Sequence, residues 1–573
     1  MTNKLKYLSI AVMTAISIAA LGKPISPEMA LERMYACKAV NVQAAEEGRW
    51  KSLYTVYEGE NPTIYVFSGS DGNLVLSADD EVAPLLGYGI KIGEGGDFAL
   101  AFKSWLNTIS DEIAYVRQGK AEARFSRTRA GDFSPIAPLC KTTWSQDEPY
   151  YNSCPISKES EDHCYTGCVA TAMAQVMKYH KWPEVGEGSI SYKWISNNST
   201  LHFNFSENSF DWSNMLDSYA DEYTDAEADA VAFLMKSCGY SVEMNYSTSG
   251  SGALSQRIAP ALGNNFKYDK SKIRYVMRDY CSEDEWETMI YNSLKNYGPV
   301  ILDGQSNDGG HSFVCDGYDG DGYFHINWGW GGVSDGYFLL SALDPFDQGI
   351  GGSGDNSGFN FMQDAIINIT PAKGENSSDL WIGQLYSYGE FGIDTSRTYL
   401  PGENMGPLCM DGAYNMGPAA IPAESAIGLL MRSEETGKCY IVPGLLDSPC
   451  GIMYGFAELE LPLPDDIPDG KYRLTLSYHA PIAESDWEEI PDEGWVDVKF
   501  PNEFAAAYDV TVKFDEFRFE ESSWRPSGMS EPGITVSDGT VRYFNLQGVE
   551  LKEPLPGQVV IVRQGAKARK ILF

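Results

Sequence analysis

The chain has 573 residues, too long for one domain at roughly 100–200 residues each. It is 43% hydrophobic and 21% charged, an ordinary globular composition with apolar mass for several cores. Forty-three basic against 80 acidic side chains leave a net charge of −37, which argues against a nucleic-acid backbone or an anionic lipid surface as the main partner and suits a solvated, exported surface.

In chain order, residues 1–22 read as a secretory signal peptide. Lys4 and Lys6 precede the apolar run Tyr7 to Leu21, which is too short for a membrane span, and small residues follow. No later segment is apolar for long enough to predict a membrane span. Residues 23–130 form a first α+β block. Ser26-Pro27 opens a helix, SLYTVYEG, PTIYVFSG and NLVLSADD read as strands, and FALAFKSWLNTISDEIAYVRQG returns to a helical period. Its end, KAEARFSRTRAGDFSP, is arginine-rich and without apolar periodicity, an exposed linker of the kind proteases cut. Residues 131–371 carry two helical patterns, VATAMAQVMKYHKW and DEWETMIYNSLKNYG. PVILDG, HSFVCDGYD, GYFHINWGW and GYFLLSAL follow as strands of an antiparallel sheet. Residues 372–515 alternate short strands with Pro/Gly turns, which predicts a β-sandwich, and residues 516–573 form a β tail.

Eleven cysteines make at least one unpaired within the chain, and no CxxC pair is present. Cys168 follows Gly167 at the head of a helical run. Unpaired N–H groups at a helix start favour a thiolate and can hold an oxyanion. Of six histidines, His311 follows Gly309 and Gly310, which clear space for a substrate, and then enters a strand. Asn327 lies on the next strand, where a hairpin brings it near His311; its side-chain carbonyl can orient the imidazole while Trp328 or Trp330 shields the pair. Cysteine, then histidine, then asparagine is the order of papain-like enzymes. Upstream lies Gln146, which by residue pattern alone reads as a surface glutamine in a turn; a papain-like site would use an upstream Gln amide to complete the oxyanion hole.

TGCVATAMAQVMKYHKWP, GGHSFVCDGYD and HINWGWGGVSDGYF together resemble the streptopain family of papain-fold cysteine proteases, including its interpain-type members, over about residues 131–371. The resemblance implies an α+β architecture: a papain-like catalytic domain, an N-terminal α+β prodomain over 23–130 and a C-terminal β-sandwich-type domain. It implies Cys168 as nucleophile, His311 as general base and acid, Asn327 as its orienting partner, and Gln146 in the oxyanion hole. STSGSGALS resembles the loop bordering the family's substrate cleft, so Ser251 and Gly252 join Gly167, Gly310, Trp328 and Trp330 as substrate-binding candidates. The tail resembles the C-terminal ends of exported proteins, some of them sorting signals.

The expected protein is a secreted or cell-surface cysteine endopeptidase, made as a zymogen and cut between Arg124 and Asp132. Its partners are protein or peptide substrates and its own propeptide as intramolecular inhibitor, with no nucleic acid; the chemistry calls for no metal or organic cofactor. Two alternatives remain: a transglutaminase- or amidase-like acyl-transfer enzyme using the same Cys-His chemistry, and a non-catalytic secreted inhibitor or binding protein built on the N-terminal and β-sandwich blocks.

Overall fold

The computed structural model describes residues 22–36, 50–70, 72–92, 98–119, 133–207, 209–281, 283–306, 309–341, 364–372 and, with short gaps, 384–524, together with the backbone of strands between 541 and 572. The leader and the linker at 120–132 lie outside the described residues.

Helix α1 (Pro27–Ala36) starts where expected, with the Ser26 hydroxyl accepting from Met29 N–H at 3.3 Å. Strands β1 (Lys51–Glu58), β2 (Asn61–Gly69), β3 (Gly72–Ser77) and β4 (Leu85–Ile90) form an antiparallel meander. Helix α2 (Leu100–Arg117) buries Phe102, Trp105, Ile109, Ile113 and Val116, which recur at helical spacing. Its last residue ties it to the strands, Arg117 Nε meeting Asp79 Oδ2 at 2.7 Å.

Next come α3 (Cys168–His180), the hairpin β5 (Ser189–Trp194) and β6 (Ser199–Asn204), α4 (Asp225–Ser241) and α5 (Ile258–Asn265). The sequence reading had assigned neither α4 nor α5. The signal for α4 was a capping box: Thr224 accepts from Glu227 N–H while the Glu227 side chain accepts from Thr224 N–H. Then follow β7 (Arg274–Met277), α6 (Glu283–Asn296), β8 (Val300–Ser306), β9 (Gly309–Tyr318), β10 (Phe324–Asn327), β11 (Gly336–Phe338) and β12 (Asp364–Ile367).

These strands and the first four make one ten-stranded sheet, ordered β1-β2-β3-β4-β11-β10-β9-β8-β12-β7. The N-terminal block therefore extends the central sheet instead of closing on itself. The seam is the β4–β11 pair, Tyr88 opposite Tyr337 and Gly87 opposite Phe338. Glycine is required there, because a Cβ on Gly87 would lie 2.9 Å from the Phe338 ring.

Two cores cover the two faces. One joins α2 and α6 to Phe313, Cys315, Trp328 and Phe338. The other joins α3, α4 and α5 to Tyr275, Ile301, Val314 and Ile366. Strand alternation sorts successive residues between them.

The C-terminal block has its own core and a sheet ordered 439–445, 425–433, 470–481, 508–513, 516–521. Strand 516–521, which the sequence reading placed in the tail, pairs with 508–513 as its edge. This block caps β7, the outer strand of the large sheet. Tyr275 N–H donates to Gln384 Oε1 at 3.3 Å, Tyr386 OH donates to the Tyr275 carbonyl at 3.1 Å, and Tyr280 OH donates to the Ser387 carbonyl at 2.7 Å. The tail strands 541–544, 550–551, 559–564 and 567–572 form a separate four-stranded sheet. Among the described residues, no helix is long and apolar enough to cross a membrane.

Candidate active site

Cys168 is the first residue of α3, half-buried, with Gly167 as the cap. Gly167 has φ +85° and no room for a side chain: a Cβ would meet Met244 Cε at 2.7 Å and the Ser251 carbonyl at 3.0 Å. The predicted cleft loop is thus pressed against the nucleophile's own turn. Ser251 Oγ donates to the Tyr165 carbonyl at 2.6 Å and accepts from Ser247 N–H at 2.9 Å. Gly252 is exposed and bridges Asn245. Gln146 is tied to the same turn through its main chain, its carbonyl accepting from Thr166 N–H at 3.2 Å.

Cys168 Sγ lies 3.9 Å from the carbonyl oxygen of Gly310, and the N–H of Ser312 reaches the sulfur from the same strand. The helix start does not dominate the thiol. Burial and the nearby Asp303 push it up to about 11, against the N–H groups of Ser312, Val169 and Cys168 itself, which pull it down. The sequence reading expected the helix terminus to win; desolvation outweighs it here.

His311 sits opposite Gly304 across β8–β9. The register is regular from there to Cys315, with Phe313 and Cys315 in one core and Val314 in the core that Cys168 packs against. Backbone on either side of His311 comes to the sulfur, the Gly310 carbonyl and the Ser312 N–H.

Asn327 pairs with Val314 and is buried on the α3 face. Its carbonyl oxygen accepts from Gln175 Nε2 at 3.1 Å and Gly329 N–H at 3.0 Å; its amide nitrogen donates to the Thr142 carbonyl at 2.7 Å. Gln175 closes the loop by accepting from Thr142 Oγ1 at 2.8 Å. The sequence reading missed Gln175. The available signal was a polar residue two turns after Cys168, in a stretch, 172–177, otherwise of Ala, Met and Val.

The two tryptophans separate. Trp328 is buried on the Phe313 face, 4.6 Å from that ring, while Trp330 is 38% exposed. The turn that holds Trp330 leans on the Gln146 side of the site, with Gly331 N–H donating to the Trp144 carbonyl at 3.0 Å. All ten described cysteines carry free thiols. No cluster of metal-ligating side chains occurs among the described residues.

Known proteins share this arrangement of sequence. The pattern of the Peptidase C10 family matches residues 144–338. Streptopain of Streptococcus pyogenes is 34% identical over 60% of this chain and 89% of its own length. The thiol protease/hemagglutinin PrtT of Porphyromonas gingivalis is 35% identical over 57% of this chain and 39% of its own. Among solved structures, a fragment of prointerpain A from Prevotella intermedia is 31% identical with a TM-score of 0.49, covering 56% of this chain and 99% of that one. Active interpain A from the same organism is 32% identical with a TM-score of 0.37, over 42% and 98%. On the streptopain match and the family pattern spanning Cys168, His311 and Asn327, this chain belongs to the Peptidase C10 family of cysteine peptidases.

Proposed function

We propose that the chain is an exported endopeptidase made as a zymogen, with Cys168 as nucleophile and His311 as its base and acid. The observation that carries this reading is the setting of Cys168: first residue of α3, its own N–H and those of its neighbours turned to the sulfur, the cleft loop pressed on Gly167 and Gln146 tied in beside it. In the productive state, the sulfur attacks a peptide carbonyl. The resulting oxyanion sits between the N–H of Cys168 and the side-chain amide of Gln146. His311 protonates the leaving amine as the acyl-enzyme forms, then takes a proton from the water that releases the acid. Asn327 orients the imidazole, and Trp330, Gly310, Ser251 and Gly252 border the substrate.

With the N-terminal block seated on β11, the buried thiol is held protonated. Activation is the removal of that block, by cleavage between Arg124 and Asp132. Residues 372–573 bind substrate or the cell surface, or aid export.

The test compares purified residues 23–573 with the Cys168→Ala variant, in reductant, by gel and by casein hydrolysis. Wild type is expected to lose the first block, roughly 12 kDa for a small domain of this length, and to digest casein; the variant does neither. Wild type that stays inactive even after the block has been trimmed by trypsin refutes the endopeptidase reading.

A further inference from the structure

Two carboxyls lie beneath the nucleophile with no part in the chemistry above. Asp303 on β8 and Asp364 on β12 stand directly opposite each other in the sheet, on the face that packs against α3. Asp303 is 7% exposed and accepts from Ser312 Oγ at 2.6 Å. The Ser255 hydroxyl and the Gly304 N–H also reach it. Ser312 follows His311 directly, and its N–H is one of those turned to Cys168. Ser255 ends the segment that borders the cleft. A single carboxyl therefore touches the strand residue next to His311, touches the end of the cleft loop, and acts on the sulfur.

The groups facing the pair are Cys168 from α3, the Tyr275 hydroxyl from β7, Asp279 just beyond β7, and Tyr386 and Tyr388 from the C-terminal block. Those acting most strongly on either carboxyl include no cation. Without a counter-charge, two buried carboxyls opposite each other do not both ionise readily. Burial and the neighbour push Asp303 up to about 8; burial pushes Asp364 to about 7; and they titrate as a pair.

We propose that Asp303 is a positioning residue of the active centre: held as a neutral acid by its buried partner Asp364, it fixes Ser312 beneath Cys168 and, by staying uncharged, lets the thiolate form. This rests on the reading of Cys168 as the nucleophile. Once Asp303 ionises, its charge opposes that of the thiolate, so the two groups compete to be the anion.

The experiment reads the thiol directly. The full chain carrying His311→Ala, which does not digest itself, is exposed to iodoacetamide from pH 6 to 10, and alkylation of the Cys168 peptide is followed by mass spectrometry. Asp303→Asn keeps the acceptor for Ser312 and removes the charge that Asp303 takes on as pH rises through about 8. It is expected to move the profile above that pH down by at least half a pH unit, about threefold faster alkylation at pH 9. Asp364→Asn makes Asp303 easier to ionise and is expected to slow alkylation near pH 7. A merely structural role does not give opposite signs. Superimposable profiles for Asp303→Asn, or the same sign for both variants, overturn the proposal. Should Asp303→Asn fail to fold, Asp364→Asn alone decides: unchanged or faster alkylation refutes it. These outcomes do not depend on casein cleavage, so failure of the endopeptidase reading is scored separately.

Discussion

Replacing Gln175 by leucine keeps volume in the core while removing both polar atoms of a closed network. Thr142 Oγ1 loses its acceptor, and a buried hydroxyl left unsatisfied costs about 1–3 kcal/mol. The bond to Asn327 is lost as well, worth about 1 kcal/mol net, although the Asn327 oxygen keeps Gly329 N–H. The expected destabilisation is about 2–4 kcal/mol. The pair Thr142→Val with Gln175→Leu removes donor and acceptor together, so it should cost less than the sum of the singles by about 1 kcal/mol or more. The assay is urea unfolding by tryptophan fluorescence, with all variants built on Cys168→Ala to suppress self-digestion. A Gln175→Leu loss below about 0.5 kcal/mol, or a double variant equal to the sum, would refute the claim that these atoms form one network.

Gly167→Ala forces a Cβ into a positive-φ position against Met244 and the Ser251 carbonyl; strain of about 1–3 kcal/mol and a displaced Cys168 are expected to lower kcat/KM about 100-fold, measured on casein-derived peptides. Trp105→Ala empties the α2 side of the seam, where the indole lies 4.8 Å from Phe338 and donates to the Leu339 carbonyl; a loss of about 3–5 kcal/mol should hasten shedding of the first block, seen on gels as faster self-cleavage than wild type. Because the folded-state values of Asp303 and Asp364 are raised, their contribution is fully present below the ordinary carboxylate range and is lost as pH rises through about 7 to 8. The urea midpoint of Cys168→Ala should therefore fall between pH 5 and 9, and fall less with Asp303→Asn added; equal slopes would contradict the burial argument.

Elements with a strong local signal were readable from sequence. The Cys168 helix, the α2 helix and the hairpin strands of 300–327 carry clear periodicity and sharp Gly/Asp punctuation. Helix α4 escaped because its run DAEADAVAFLMKSCGYS is buried along most of its length and so has little amphipathic contrast. The fusion of the first block into the central sheet was invisible for a different reason. It depends on β4 and β11, distant in sequence, and no local pattern distinguishes a strand that closes its own sheet from one that lends its edge. At the site, residue types marked Gly167 and Cys168 as a helix start, while Gln146 was legible only through the family resemblance; its main-chain carbonyl accepts from Thr166 N–H beside that start. The pairing of His311 with Gly304 was beyond reach, because it is set by the β8–β9 register, where a slip of one residue leaves the composition unaltered. Asp303 went unnoticed because one Asp in PVILDG reads as a turn residue until its burial is known.

The β4–β11 seam also determines what kind of surface maturation would create. Loss of the first block would turn a ten-stranded sheet into a six-stranded one and convert β11 from an interior strand to an edge. An unpaired edge invites other extended chains. This one is only Gly336–Phe338, too short to template a long ladder, yet flanked by the apolar ground that α2 had covered, Trp328 and Phe338 included. The freed protease would thus carry an adhesive strip on the side of the sheet where its former cover sat, and its solubility after activation would depend on how quickly that strip is shielded or repacked.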